Sequence, residues 1–130
     1  MCVCVCVCSG YLLKAESPDE VALVLAASEH GNVTLVERNN SQIYIKGLDP
    51  AEPGYIDKLT LLAVNEFESN RKRMSVIVRS EKDGRILLLC KGADSSMMER
   101  CQHGVYNGFC DSQINKFAST GLRTLAFGNL

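Results

Sequence analysis

The sequence predicts an α+β domain built on an antiparallel β-sheet flanked by helices, and three observations predict it. Val33–Arg38 and Gln42–Lys46 are β-rich and separated by Asn39-Asn40-Ser41, the pattern of a hairpin. A second hairpin reads from the apolar run ending at Arg79, through the turn Glu81-Lys82-Asp83-Gly84, into Arg85-Ile86-Leu87-Leu88-Leu89-Cys90. Helical patterns with their own start and stop signals stand before and after these hairpins, which is the arrangement of an α+β fold rather than of alternating βαβ units. With 130 residues the chain suits a single domain, which at this size buries roughly two-thirds of its unfolded surface.

Taken in order, Met1-Cys2-Val3-Cys4-Val5-Cys6-Val7-Cys8 holds four of the seven cysteines in strict alternation. Such a string is what a TG dinucleotide repeat encodes, so residues 1–10 are expected to be a disordered, non-native-looking extension, and 11–130 the domain. Thiolates at every second position are chemically able to take zinc, the alternative reading. The stretch lacks the charged start of a signal peptide. Cys90, Cys101 and Cys110 have no C-x-x-C spacing and are expected to be reduced thiols, as in a cytosolic protein.

Ser17-Pro18-Asp19-Glu20 is a helix start by its chemistry: Ser17 as N-cap, Pro18 at the first helical position and Glu20 completing a capping box. Val21, Val24, Leu25 and Ser28 continue at helical spacing, and Gly31 should end a helix begun at Pro18. Gly47–Gly54, with two prolines, reads as a loop, and Leu59–Phe67 as a strand. Asp94 is expected to cap a short helix reaching about Cys101. Gln102–Phe109 then reads as a loop, Asp111–Ser119 as a helix stopped by Gly121, and Leu122–Phe127 as the last strand. Because the chain stops just after that strand, the fold is expected to be incomplete at the C-terminus.

Composition limits the function. Fourteen basic and fifteen acidic residues give a net charge of −1, so the chain as a whole carries no electrostatic footprint for nucleic acid or an anionic membrane. No apolar run approaches the roughly 20 residues of a membrane helix. Local charge is another matter: Phe67 precedes Arg71-Lys72-Arg73, and antiparallel pairing would set Lys91 near Phe67 and Lys72. A flat ring beside several cations suits a nucleotide, the ring stacking on the base and the cations meeting phosphates. Neither G-x-x-x-x-G-K-[ST] nor G-x-G-x-x-G is present, so the nucleotide would be held by side chains on a sheet. His30 and His103, at a helix end and in a loop, form no catalytic arrangement and read as surface residues.

Four stretches carry a more specific signal. Glu16-Ser17-Pro18-Asp19-Glu20-Val21-Ala22-Leu23-Val24, Arg71-Lys72-Arg73-Met74-Ser75-Val76-Ile77, Cys90-Lys91-Gly92-Ala93-Asp94-Ser95 and Gly121-Leu122-Arg123-Thr124-Leu125 resemble four successive motifs of the nucleotide-binding domain of type IV P-type ATPases, the phospholipid flippases. Order and approximate spacing agree from about Tyr11 onward. Cation-pumping relatives typically follow Lys-Gly-Ala with proline; Asp94 here favours the lipid branch. The resemblance implies an ATP site in which Phe67 stacks on adenine, Lys91 and Lys72 line the pocket, Glu20 lies near the base and Arg123 reaches the phosphates. Arg71 and Arg73 are expected on the surface, solvated or paired. Mg²⁺ would arrive with the nucleotide.

The resemblance also implies a multi-pass membrane parent with this domain on its cytosolic side. A phosphorylation domain there supplies an Asp-Lys-Thr-Gly-Thr aspartate, and a membrane domain moves the phospholipid. Asp57-Lys58-Leu59-Thr60 only superficially resembles that motif and is rejected as a phosphorylation site. The chain alone should bind ATP without turning it over. Two alternatives remain: an interaction module with a degenerate pocket, and the nucleotide domain of a cation pump.

Overall fold

A computed structural model describes residues 17–100 and 105–129. The elements are α1 (Pro18–Gly31), β1 (Thr34–Arg38), β2 (Gln42–Lys46), β3 (Ile56–Glu68), β4 (Arg73–Ser80), β5 (Ile86–Gly92), α2 (Asp94–Met98), α3 (Val105–Ser119) and β6 (Ala126–Asn129). The strands form a six-stranded sheet in the order β1-β2-β3-β4-β5-β6, so each strand neighbours the next in sequence. The sheet is antiparallel and carries a few helices, the α+β architecture expected. Two compact units divide the residues: one gathers 64–76 and 88–129 of the described chain, the other 17–63 and 77–87.

The unit that begins with α1 has an apolar core of Val24, Leu35, Ile45, Leu59 and Val78, none more than 9 % exposed. Each such side chain contributes about 1.5–3 kcal/mol of transfer free energy. Ser17 caps α1 as expected, its hydroxyl accepting from the Glu20 N–H at 3.4 Å, with Pro18 next. The helix ends one residue later than expected: Gly31 is still helical, and Asn32 takes the left-handed cap conformation at φ 54°. Of the apolar stripe, Val24 alone is buried and Leu25 stays exposed.

The first hairpin forms in the expected place because Asn39 folds the chain on itself. Its Oδ1 accepts from the Ser41 and Gln42 N–H groups at 3.0 and 2.8 Å, an Asx turn. The β1–β2 register runs Thr34↔Lys46 and Leu35↔Ile45, then slips at a bulge to Glu37↔Tyr44. β3 is longer than the sequence pattern indicates, starting at Ile56 opposite Lys46. The loop before it is fastened by Lys82, whose Nζ donates to Asp49 at 3.3 Å and Glu52 at 2.8 Å and lies 4.9 Å from the Tyr55 ring centre.

In the other unit, β5 and β6 pair from Leu89↔Asn129 to Gly92↔Ala126. Met97 of α2 packs against β6 where a side chain at Gly128 would stand, 3.3 Å away, and its sulfur meets Cys90 Sγ at 3.5 Å. α3 starts at Val105 rather than Asp111; of the two glycines that argue for a loop, Gly108 lies inside the helix without interrupting it. Its end is as expected. Gly121 at φ 78° allows its own N–H to reach the Ala118 carbonyl and the Leu122 N–H to reach Phe117, a Schellman arrangement.

Three further expectations need correction. Asp94 is the first residue of α2, whose cap position is Ala93, because its carboxylate is engaged by the Ser95 N–H and the Thr124 hydroxyl. α2 stops at Met98, short of Cys101. Residues 122–125 are not strand; β6 begins at Ala126. Cys90 and Cys110 are free thiols. His30 is exposed in the last turn of α1. The repeat at 1–10, Cys101 and His103 lie outside the described residues. No helix among the described residues is long and apolar enough to cross a membrane.

Candidate nucleotide site

Phe67 stands near the end of β3, where every residue from Asn65 to Glu68 is exposed. The residue is 59 % exposed, which removes the competing reading of a core phenylalanine at a strand end. A large exposed aromatic whose own strand leaves it unburied is available to stack.

From Phe67 the chain turns through Glu68–Lys72 and re-enters the sheet as β4 at Arg73. The turn closes when the Lys72 N–H donates to the Glu68 carbonyl at 2.7 Å. Lys72 has φ 51°, in the left-handed region, and an exposed side chain. Its carbonyl accepts from the Ala93 N–H at 2.9 Å, which joins the basic motif to the Lys-Gly-Ala motif. Gly92 is what permits this approach. A Cβ there would lie 2.6 Å from the Lys72 carbonyl oxygen and 2.6 Å from Arg73 Cβ, so no larger residue fits. Lys91, just before it, is half-buried on β5 opposite Phe127.

The third motif is tied in by Asp94, whose Oδ2 accepts from the Thr124 hydroxyl at 3.2 Å. Arg123 therefore adjoins a residue that is bonded to the Lys-Gly-Ala-Asp segment. It lies in the connection between α3 and β6, exposed, and not within a strand as the sequence pattern has it. Phe67, Lys72, Lys91 and Arg123 thus belong to one compact unit, their motifs linked in sequence by backbone and side-chain bonds. Glu20 belongs to the other unit, half-buried in the first turn of α1.

Two cations of the basic run behave differently from each other. Arg71 makes a 3.9 Å pair with Glu68, three residues earlier, of the kind worth about 0–1 kcal/mol. Arg73 is not a surface residue. It turns inward, half-buried, and donates from Nη1 to the Arg71 carbonyl at 3.0 Å and to the Ser96 hydroxyl at 3.4 Å. Ser96, 8 % exposed, donates to the same carbonyl at 2.9 Å. Sequence reading missed both, because nothing in a three-cation run marks which member points inward.

Asp57 sits within β3 opposite Ile45, 8 % exposed, with its Oδ2 lacking a hydrogen-bond partner. Burial pushes its carboxyl above the ordinary value, an effect Lys82 opposes and Asp49, Glu52 and Asp83 reinforce. A strand interior of this kind is unlike an exposed phosphoacceptor loop. Among the described residues no three His, Cys, Asp or Glu side chains are grouped to hold a metal ion.

Residues 8–130 match the family model described as "P-type ATPase, cytoplasmic domain N". The chain is 44 % identical over 115 residues to the Arabidopsis thaliana protein named probable phospholipid-transporting ATPase 12, covering 86 % of this chain and 10 % of that protein. It is 47 % identical over 115 residues to probable phospholipid-transporting ATPase 11 of the same plant, covering 86 % of this chain and 9 % of the relative. Against human phospholipid-transporting ATPase ID the identity is 43 % over 115 residues, again 86 % of this chain and 9 % of the relative. The chain therefore spans about a tenth of the length of the curated relatives it matches. With the family model covering nearly all of it and these relatives alongside, the chain belongs to the P-type ATPase family as a cytoplasmic domain N of the type IV, phospholipid-transporting kind.

Proposed function

We propose that this domain docks ATP, in a parent protein that delivers the γ-phosphate to an aspartate on a separate phosphorylation domain and uses the resulting cycle to move phospholipid across a membrane. Within the chain, residues 11–130 form the nucleotide-binding part. The observation that carries the reading is the bond from the Ala93 N–H to the Lys72 carbonyl at 2.9 Å, together with the Gly92 contact that permits it. It brings two cation-bearing motifs, distant in sequence, into one unit with an exposed Phe67.

The donor set fits the ligand. Phe67 supplies a stacking face for the base, and Lys72, Lys91 and Arg123 supply positive charge for the phosphates, with Arg able to grip two oxygens at once. Glu20 stays in the proposal on the strength of its Ser-Pro-Asp-Glu motif alone. The described residues offer no acidic cluster for a metal, so Mg²⁺ would enter bound to the phosphates and be held chiefly by other domains of the parent. The sequence contains no Asp-Lys-Thr-Gly-Thr, and the chain on its own binds ATP without hydrolysing it. The parent's membrane location, its cytosolic placement of this domain and its phospholipid substrate belong to the same proposal, supported by the family description as a cytoplasmic domain and by the relatives' names as phospholipid-transporting ATPases.

Calorimetric titration of the chain with ATP tests the docking step. Saturable one-to-one binding without phosphate release is the expected result. Absence of saturable binding would favour an interaction module that keeps the sheet and has lost the pocket.

A further inference from the structure

Lys72 occupies a backbone conformation that lysine disfavours. Its φ of 51° lies in the left-handed region, where glycine is at ease and asparagine is tolerated. A residue is held there only when its surroundings over-determine it, and such places concentrate at ligand sites. Here the surroundings can be named. The dihedrals of Lys72 are set by the two peptide groups that flank it, and both are fastened. The peptide before it donates through the Lys72 N–H to the Glu68 carbonyl at 2.7 Å. Its oxygen, the Arg71 carbonyl, accepts from Arg73 Nη1 at 3.0 Å and from Ser96 Oγ at 2.9 Å. The peptide after it accepts at the Lys72 carbonyl from the Ala93 N–H at 2.9 Å. Arg73 and Ser96 are also bonded to each other, at 3.4 Å, so the two donors brace one acceptor. Both are at least half-buried, which makes their bonds less exposed to competition from water.

We propose that Arg73 and Ser96 are positioning residues for the nucleotide. They lock the Arg71–Lys72 peptide and so hold Lys72 in the left-handed turn that presents its ammonium to an anionic ligand. The backbone at this point would be served by glycine or asparagine; the ligand requires a cation, and the brace reconciles the two. This inference rests on the nucleotide reading for its ligand and on the hydrogen bonds for its mechanism.

The test uses the full 130-residue chain. A strong nuclear Overhauser effect between the amide and α protons of one residue marks positive φ, and it should be present at Lys72 in the parent chain. Arg73→Met and Ser96→Ala should each lose it and weaken ATP binding about fivefold, the ratio carried by one net hydrogen bond. Ser96→Thr, which keeps the hydroxyl, should retain both. In a Lys72→Met background, Arg73→Met should weaken binding no further, because it acts through the lysine. If Arg73→Met does not fold, Ser96→Ala carries the same measurements. Retention of the Overhauser signal in Arg73→Met or Ser96→Ala overturns the brace. An undiminished effect of Arg73→Met in the Lys72→Met background overturns action through Lys72. A parent chain that binds no ATP overturns the nucleotide reading, while the Overhauser result still decides the brace.

Discussion

Replacing Gly92 by alanine should damage this domain far more than its chemistry suggests. The added Cβ would stand 2.6 Å from the Lys72 carbonyl oxygen, 2.6 Å from Arg73 Cβ and 2.9 Å from Arg73 Cα. None of these atoms is the movable end of a side chain, so the end of β5 must retreat from the turn. Forced overpacking of this kind costs about 1–3 kcal/mol. The retreat also breaks the Ala93 N–H to Lys72 bond, worth about 1 kcal/mol net. Alanine's smaller unfolded-state entropy returns about 0.5 kcal/mol. The balance is a loss of about 1.5–3.5 kcal/mol, which at a urea m-value of about 1.5 kcal/mol/M lowers the midpoint by roughly 1–2 M. Urea melts followed by circular dichroism measure it, with Gly54→Ala as control because no atom lies within 4 Å of that position. A Gly92→Ala midpoint equal to that of the control, at unchanged m-value, would refute the close-approach argument.

Three other outcomes follow from the geometry. Gly108 lies inside α3, exposed and with open space around it, so Gly108→Ala should raise stability by about 0.5–1 kcal/mol in the same urea assay. Gly121→Ala should lower it by about 1–2 kcal/mol, because φ 78° is left-handed and the Schellman bonds depend on it. For Asp57 the sign follows from burial, which makes the native carboxyl hold its proton more tightly than the unfolded one. Its contribution to stability is full below the ordinary value of 3.8 and is lost as pH rises through the raised native value. The stability of Asp57→Asn relative to the parent chain should therefore improve as pH rises from about 3.8, and a pH-independent difference between the two melts would contradict it.

The sequence was most legible where one residue type has one physical job. Ser17-Pro18 starts a helix, Asn39 turns a hairpin and Gly121 stops a helix, and each does so here. It was least legible where a tertiary partner overrides a local preference. Asp94 reads as a cap yet spends its carboxylate partly on Thr124, thirty residues away. Gly108 reads as loop yet sits exposed inside a helix, where one glycine costs only about 1 kcal/mol and does not end the run. Arg123 reads as strand because it stands in the largely apolar run Leu122–Phe127 that follows a helix-stopping glycine, but pairing with β5 begins only at Ala126. For the candidate site, Glu20, Phe67, Lys72, Lys91 and Arg123 are proposed on motif resemblance, and the structure gathers all but Glu20 into one unit. The brace from Arg73 and Ser96 was not legible, because burial of one arginine among three cations depends on what packs over it.

ATP docking is the central functional proposal, and a nucleotide titration read at the Lys72 and Ala93 backbone amides tests it most directly. In the parent chain those amides should shift and saturate. Phe67→Ala should weaken binding by the roughly 1–3 kcal/mol that base stacking supplies, and Lys91→Glu, which reverses the charge, should abolish the shifts. Wild-type-like shifts with wild-type-like saturation in both variants would contradict the account.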